Sequence, residues 1–244
     1  MKLRKFAANS LGMAGVLVVA AWVPAFGQST GVTANAYPKM APVEQYRMDK
    51  DAEIAMARSA APAEISKDAD VMVLGVRGYE SVAKGTNGFL CVVLRSWTAP
   101  PEDLSFWNPK LRGPICFNAA AARTYWPIME KRTELVLAGV PKEKMLADVQ
   151  AGFEKKELPG IEAGAMSYMM SRDQYLGDAG KAWHPHLMFF VPQTTDGAWG
   201  AVNDSPVLVG QDPTNHLTIF LVPLSKWSDG KAEDAPVADA SHKH

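Results

Sequence analysis

Residues 71–96, VMVLGVRGYESVAKGTNGFLCVVLRS, decide the fold of this chain. Three apolar runs in this stretch are typical of β-strands, namely Val71–Val76, Tyr79–Ala83 and Phe89–Ser96. The Asn87-Gly88 pair stands directly before the third run. Because both residues accept positive φ angles, the pair predicts a tight hairpin between the second and third strands. On the third strand both alternating sets of side chains are largely apolar, which predicts a position inside the sheet.

Three helices and a second block of strands are predicted outside this stretch. The helices cover residues 43–59, residues 127–139 after an N-cap predicted at Asn118, and a segment that begins at Pro141. The later strands cover residues 165–171, 187–191, 207–210 and 216–222. This order predicts an α+β fold: a single domain with a mixed or antiparallel sheet and about three helices on one face.

The N-terminus has the pattern of a secretory signal peptide. Three basic residues among the first five precede an uncharged apolar run over residues 11–23, and Ala25 and Gly27 place small residues before a cleavage site. The run is shorter than the roughly 20 apolar residues that a membrane-spanning helix needs. We therefore expect cleavage near Gly27 and a periplasmic or secreted mature protein.

The composition of the chain after the signal peptide predicts one globular domain with flexible segments at both ends. We expect a signal peptide over residues 1–27, a flexible linker over 28–42, a single globular domain over 43–228 and a disordered tail over 229–244. The linker is polar and interrupted by prolines. The tail consists mostly of small and charged residues and contains no Phe, Tyr or Trp.

The charge balance limits the classes of partner. Loss of the signal peptide with its three basic residues takes the formal charge from −1 to −4. The mature chain has neither the basic stripe of a nucleic-acid binder nor a basic amphipathic helix. We expect no nucleic-acid partner and no stable membrane insertion after cleavage, which leaves small molecules, metal ions and other proteins.

The sequence contains two cysteines, Cys91 and Cys116. In an oxidising compartment such a pair tends to form a disulfide. A structural Cys91–Cys116 bridge is therefore predicted, with a catalytic thiol as the alternative that the even number of cysteines disfavours.

The His184-Pro185-His186 segment is the clearest candidate for chemistry. Alternate residues of a strand face the same side, so His184 and His186 would present two imidazoles together. His216 also stands at the start of an apolar run; if the two strands are neighbours, three imidazoles meet in a geometry that suits zinc and a water molecule. The alternative is that all three histidines bond to backbone or water where strands enter the sheet.

Methionines near these histidines suggest a second candidate metal. Met166, Met169 and Met170 lie in one segment, and Met188 follows His186 closely. Thioether and imidazole ligands together suit Cu(I), which ranks behind zinc because methionines are also ordinary core residues.

A ligand pocket is predicted beside the histidines, with the aromatic residues Tyr168, Tyr175, Trp183 and Trp199 as its walls. Candidate acids or bases lie in the nearby loops: Asp173, Asp178, Asp196, Asp204 and Asp212. The alternative for these loops is an ordinary surface turn, because Asp and Gly are common turn residues.

No catalytic or nucleotide-binding motif accompanies these features: the chain has no Gly-x-Ser-x-Gly, phosphate loop, His-Glu-x-x-His, Cys-x-x-Cys or dinucleotide fingerprint. Its segments KGTNGFLC, NPKLRGPICF, GAMSYMMS and HPHLMFFVP resemble segments found together in a family of exported bacterial proteins with no assigned activity. This resemblance covers residues 60–230 and implies no site.

Three functions remain open. The first is an exported soluble domain that binds a small ligand or metal. The second is a metal-dependent hydrolase that uses His184, His186 and His216 as ligands, with a loop carboxylate to orient the attacking water. The third is a structural envelope protein. Whether the chain is an enzyme is undecided at this point.

Overall fold

The structure is a computed structural model and describes residues 36–178, 182–202 and 205–233. The predicted signal peptide lies outside the described residues, as do most of the predicted linker and tail. Eight described strands form one mixed sheet in the order β2-β1-β3-β4-β5-β6-β8-β7. The strands are β1 Asp70–Leu74, β2 Tyr79–Ala83, β3 Leu90–Leu94, β4 Gly113–Phe117, β5 Met166–Met169, β6 His186–Pro192, β7 Leu208–Asp212 and β8 Leu217–Pro223.

Five α-helices accompany the sheet in the described part of the chain. They are α1 Lys50–Arg58, α2 Ala63–Ser66, α3 Ala119–Thr124, α4 Trp126–Leu137 and α5 Lys142–Glu154. Short 3₁₀ helices cover Val43–Tyr46, Ser96–Thr98, Asp196–Trp199 and Pro213–Asn215. The single sheet and its helices confirm the predicted α+β fold. In the described ranges no helix has both the length and the apolar character needed to cross a membrane.

The alternation of side chains on β3 explains the two hydrophobic layers. Leu90 and Val92 face a core that α3, α4 and α5 close, with Met129 and Val149 among its buried residues. Cys91 and Val93 face the other side, where they pack against Ala57 of α1. Three helices therefore cover one face, as expected, and α1 covers part of the opposite face. The interior position predicted for this strand is confirmed, since β3 lies between β1 and β4.

The predicted hairpin at Asn87-Gly88 is wrong. β2 pairs with β1, through a turn in which Gly75 N–H donates to the Gly78 carbonyl at 2.8 Å. β3 then runs parallel to β1, with Asp70 opposite Leu90. The chain crosses the end of β1 to reach this position, and Asp70 accepts a hydrogen bond from Gly85 N–H at 2.7 Å.

The disulfide prediction is confirmed. Cys91 and Cys116 stand directly opposite each other on the antiparallel strands β3 and β4, with their Cα atoms 4.0 Å apart. Both residues are fully buried in the layer beneath α1. The bond therefore joins two interior strands of the sheet.

Both ends of the domain extend past the bounds predicted for it. Before residue 43, the Tyr37 hydroxyl donates to Asp178 Oδ2 at 2.5 Å, and Ala41 N–H donates to the Tyr46 hydroxyl at 3.2 Å. After residue 228, Glu233 N–H donates to the Ser225 carbonyl at 2.9 Å. The end of the predicted linker and the start of the predicted tail thus pack on the domain.

Candidate functional site

His186 opens β6 and is almost completely buried, with 2% of its surface exposed. Its Nδ1 lies 2.7 Å from the carbonyl oxygen of His184. A carbonyl only accepts, so Nδ1–H is the donor. Burial lowers the pKa of His186 to about 4, against the backbone hydrogen bond that acts to raise it. At neutral pH the ring is therefore uncharged, and its lone pair is on Nε2.

His184 is held by a carboxylate. Its Nδ1 lies 2.5 Å from Glu233 Oε1, and about a third of the His184 side chain is exposed. Because the carboxylate accepts, Nδ1 of His184 is again the donor. Leu224 N–H donates to the Pro185 carbonyl at 2.7 Å, which places the end of β8 beside the start of β6. The chain then turns back on itself, with an antiparallel bridge between Lys226 and Ala232 and a bond from Glu233 N–H to the Ser225 carbonyl at 2.9 Å. This return of the chain explains how Glu233 reaches His184.

Trp183 and Gln174 complete this cluster. The Trp183 ring is edge-on to both imidazoles, with centroid distances of 5.4 Å to His184 and 4.6 Å to His186. Gln174 Nε2 donates to the Trp183 carbonyl at 2.6 Å, and Gln174 Oε1 is buried without a hydrogen-bond partner among the described residues. We call these five residues, Gln174, Trp183, His184, His186 and Glu233, the β6-entrance site.

His216 lies far from this site. β6 and β8 are neighbours, as the three-histidine hypothesis required, but they are antiparallel, with His186 opposite Pro223 and Pro192 opposite Leu217. Because His186 begins β6 and His216 directly precedes β8, these two histidines stand at opposite ends of the strand pair. The separation along the strands is about 23 Å at 3.3 Å per residue.

The surroundings of His216 are those of a packed surface residue. Its Nε2 lies 2.8 Å from Gln150 Oε1, and its ring is edge-on to Phe153 at 5.2 Å. The predicted set of His184, His186 and His216 is thus not assembled at one point. Within the described ranges no group of three or more His, Cys, Asp or Glu residues has a metal-binding arrangement.

The four methionines considered for Cu(I) are divided between the faces of the sheet. Met169 stands opposite His186, and Met166 stands opposite Phe189, which points to the other face because side chains alternate along a strand. Met169, Met170 and Met188 are buried or half-buried, and Met169 belongs to the main hydrophobic core. Packing accounts for these residues without a metal.

The four aromatic residues predicted to line a pocket do not surround one space. Trp183 covers the histidines, whereas Trp199 stacks flat on Phe220 with centroids 4.9 Å apart. Tyr168 faces Phe89 across the disulfide-bearing side of the sheet at 6.1 Å. Tyr175 forms a backbone bridge with Arg112.

The candidate carboxylates mostly have local structural partners. Hydrogen bonds from the hydroxyls of Tyr175 and Tyr37 lower the pKa of Asp178. Asp196 accepts from Gln211 Nε2 at 2.7 Å, and Asp212 caps a turn by accepting from Asn215 N–H at 3.1 Å. Asp173 donates its backbone N–H to Ser171 Oγ, and Asp204 lies outside the described residues. The contacts of Asp173 and Asp212 are those of turns, whereas Asp178 is also bonded to Tyr37 of the N-terminal segment and Asp196 is bonded to Gln211 of β7.

A concave site that our sequence analysis did not predict lies where the N-terminal segment meets the loop that contains Asp103, Phe106 and Trp107. It has a volume of about 300 Å³. Its wall consists of Tyr37, Pro38, Lys39, Met40, Asp103, Phe106, Trp107, Lys142 and Glu143. Lys142 Nζ lies 4.8 Å from the centre of the Phe106 ring and donates to the Pro101 carbonyl at 2.8 Å. The aromatic, proline-rich composition of residues 97–114 is the one feature of the sequence from which this site could have been predicted.

No protein-family model, curated protein or solved structure matches this chain. A function for it therefore rests on the geometry of its own residues.

Proposed function

We propose that this chain is an exported binding domain that holds a transition-metal ion at the β6-entrance site, through Nε2 of His184 and Nε2 of His186. One observation carries the proposal: in both rings Nδ1 is already engaged, by Glu233 and by a backbone carbonyl. A carboxylate or carbonyl on one ring nitrogen is the usual way in which proteins orient a metal-binding histidine, and it leaves the other nitrogen as the ligand.

The number of protein ligands defines the kind of binding that we propose. Two imidazoles leave the other coordination positions to water or to an incoming ligand, which is typical of an exchangeable ion rather than a closed structural site. Neutral imidazole suits zinc and copper, and zinc is our first choice because no thioether is committed to the site. Gln174 Oε1, buried and without a described partner, supports a polar ligand nearby.

Export is part of the proposal. The basic and apolar pattern of residues 1–27 supports a signal peptide, and the buried Cys91–Cys116 bond supports an oxidising compartment. The resemblance of four segments to exported bacterial proteins supports the same location. Periplasm and extracellular medium are both compatible with these observations.

Elemental analysis of the mature chain, purified without an affinity tag and dialysed against zinc or copper, tests the metal proposal. We expect close to one ion per chain, and loss of that ion in the variant His184→Ala/His186→Ala. His216→Ala is the matched control, since it removes a histidine from the other end of the same strand pair. A second control, His242→Ala/His244→Ala, removes the other His-x-His pair of the chain.

The outcomes separate clearly. An ion lost only in the His184→Ala/His186→Ala variant supports the site. No bound ion, or an ion lost only when His242 and His244 are replaced, contradicts it and favours the structural role.

A second candidate function is the binding of a small organic molecule in the cavity beside Phe106 and Trp107. Its volume of about 300 Å³ is at the lower end of the range for ligand sites, and it combines aromatic walls with Lys142. Tryptophan fluorescence with a panel of small carboxylates and amines tests this candidate. A saturable change that Trp107→Phe abolishes and Trp199→Phe retains supports it, and an unchanged signal contradicts it.

A further inference from the structure

Glu233 reaches His184 from a short hairpin over residues 225–233, which we call the C-terminal hairpin. Its two arms are joined by the antiparallel bridge between Lys226 and Ala232. A two-stranded hairpin on its own is only marginally stable in water. Contacts with the rest of the domain must therefore hold these residues in place.

The turn of the C-terminal hairpin is attached to the domain through Ser228. Its N–H donates to the Met170 carbonyl at 2.9 Å, and its Oγ donates to the Ser59 carbonyl at 2.6 Å. Both bonds act at the turn, whereas Glu233 lies at the open end of the hairpin. They fix the turn but not the direction in which the arm with Glu233 leaves it.

Arg172, in the segment after β5, holds this arm with three contacts. Its guanidinium carbon lies 5.6 Å from the centre of the Trp227 ring, its Nε lies 3.6 Å from Asp229 Oδ2, and its Nη2 donates to the Ala232 carbonyl at 3.1 Å. The ion pair alone would contribute little, because 37% and 41% of the two side chains are exposed. A guanidinium, however, presents several donors in a fixed plane, so this one side chain contacts both arms and the turn at once.

The contact with Ala232 acts directly on Glu233. The Ala232 carbonyl and the Glu233 N–H belong to the same peptide group. Arg172 donates to the carbonyl, and the Ser225 carbonyl accepts from the N–H at 2.9 Å. Because a peptide group is planar, these two hydrogen bonds fix its orientation and so the direction in which the Glu233 side chain leaves the backbone. That side chain reaches His184 Nδ1 at 2.5 Å.

We propose that Arg172 is a positioning residue of the β6-entrance site. Through the C-terminal hairpin it holds Glu233 on His184, which keeps the proton of the imidazole on Nδ1 and leaves Nε2 free for a metal ion. Replacing a group that orients a metal-binding histidine typically lowers metal affinity roughly 10–100-fold. The effect on metal binding rests on the proposed function, whereas the effect on the His184 ring needs no metal.

Long-range proton–nitrogen NMR spectra of the metal-free mature chain show which ring nitrogen carries the proton. At about pH 8, where a histidine in ordinary surroundings is uncharged, the His184 proton of the wild type should be on Nδ1. Arg172→Leu should move part of it to Nε2, because the carboxylate is no longer held against Nδ1. His216, which is bonded to Gln150, is the internal control in the same spectra. An unchanged His184 signal in Arg172→Leu overturns the proposal.

Zinc affinity, measured by competition with a chromophoric chelator, tests the consequence for the metal site. His242→Ala/His244→Ala is the common background, so that these two histidines cannot bind the ion. Arg172→Leu should weaken zinc binding by roughly tenfold or more. Loss of a positive charge near a cation would by itself strengthen binding, so weaker binding cannot come from the change of charge. Arg123→Leu is the matched control, because it removes an exposed arginine of α3 that pairs with Glu162.

A double-variant cycle separates positioning from a general loosening of the domain. If Arg172 acts through Glu233, Glu233→Gln should weaken zinc binding by at least the same factor, and Arg172→Leu should add nothing further in that variant. Independent, multiplying effects overturn the proposal, as does zinc affinity in Arg172→Leu equal to that in Arg123→Leu. Absence of zinc binding in the wild type contradicts the proposed function instead, and the position of the His184 proton then decides this inference.

Discussion

Arg95 and Glu53 form an ion pair in the interior, with Nη2 of Arg95 2.8 Å from Oε1 of Glu53. Both side chains are buried, at 0% and 1% exposure. The same Glu53 oxygen accepts from Leu74 N–H at 3.0 Å, and Arg95 Nε donates to the Tyr46 carbonyl at 2.7 Å. The pair therefore joins α1, the end of β1 and the segment after β3.

Breaking this pair should destabilise the domain strongly. Removal of one buried partner leaves an uncompensated charge, so Arg95→Met or Glu53→Leu should each lower the free energy of unfolding by about 3–5 kcal/mol. The double variant should lose less than the sum of the two, because no charge then remains buried. Urea unfolding followed by circular dichroism checks this. Additive losses in the double variant would contradict coupling between the two side chains.

The disulfide should contribute a similar amount. Cys91 and Cys116 are 25 residues apart, and closing a loop of that size is worth about 3.5 kcal/mol in the chain-entropy model. Cys91→Ala/Cys116→Ala should therefore unfold at lower urea concentration than the wild type. If the wild type in reducing buffer has the same midpoint as in oxidising buffer, although its thiols are shown to be free, the bond does not stabilise the fold.

The hydrophobic pattern predicted most of the strands, but not how they pair. Asn87 and Gly88 have the chemistry of a hairpin turn, and Gly88 does adopt a positive φ of 75°. However, Asn87 accepts from Phe89 N–H and donates to the Ile65 carbonyl, so it shapes a crossing loop instead. Asn87 and Gly88 suit a hairpin turn and a crossing loop equally well. Only contacts with the segment before β1, such as the bond to the Ile65 carbonyl, select the crossing loop.

β4 was not predicted from the sequence, again because its local pattern is ambiguous. Pro114 lacks the N–H that a strand uses, and the apolar run after it is only three residues long. In the fold this short strand is buried between β3 and β5, with Cys116 opposite both Cys91 and Tyr168. Tertiary pairing compensates here for a weak local signal.

Gly85 lies where the loop between β2 and β3, which contains Asn87 and Gly88, passes the start of β1. A Cβ at this position would lie 2.2 Å from the Asp68 carbonyl oxygen, a backbone atom that cannot move aside cheaply. We expect Gly85→Ala to lower the free energy of unfolding by about 1–3 kcal/mol, as overpacking does. Gly197→Ala is the control, because a Cβ there meets no atom within 4 Å. Equal stability of the two variants in urea unfolding would refute the close approach.

The candidate site was predictable in part. The spacing of His184 and His186 predicted that both lie on one strand; in the structure His186 begins β6, His184 lies two residues before it, and Trp183 contacts both rings. The sequence contained no signal for Glu233, which reaches His184 only because the chain turns back after β8. The direction of β8 relative to β6, which separates His216, is likewise a property of the topology and not of any local pattern.

Burial of His186 predicts a specific dependence of stability on pH in the metal-free protein. Its pKa in the folded state is about 4, against an ordinary value of 6.5, so the folded state disfavours the charged ring. Below pH 6.5 the unfolded chain binds a proton at this histidine while the folded chain does not. The stabilisation is therefore complete above pH 6.5 and is lost as the pH falls toward 4, by up to about 3 kcal/mol.

Urea unfolding in EDTA between pH 7.5 and 4.5 measures this loss. Carboxylates also titrate toward the acid end of this range. The test therefore compares how much the free energy of unfolding falls with pH in each variant and in the wild type. The fall in stability should be shallower for His186→Gln, which cannot be protonated in this range, and unchanged for His216→Ala, which lies at the far end of β6 and β8. A fall of the same size in His186→Gln and in the wild type would mean that His186 is not the group that titrates.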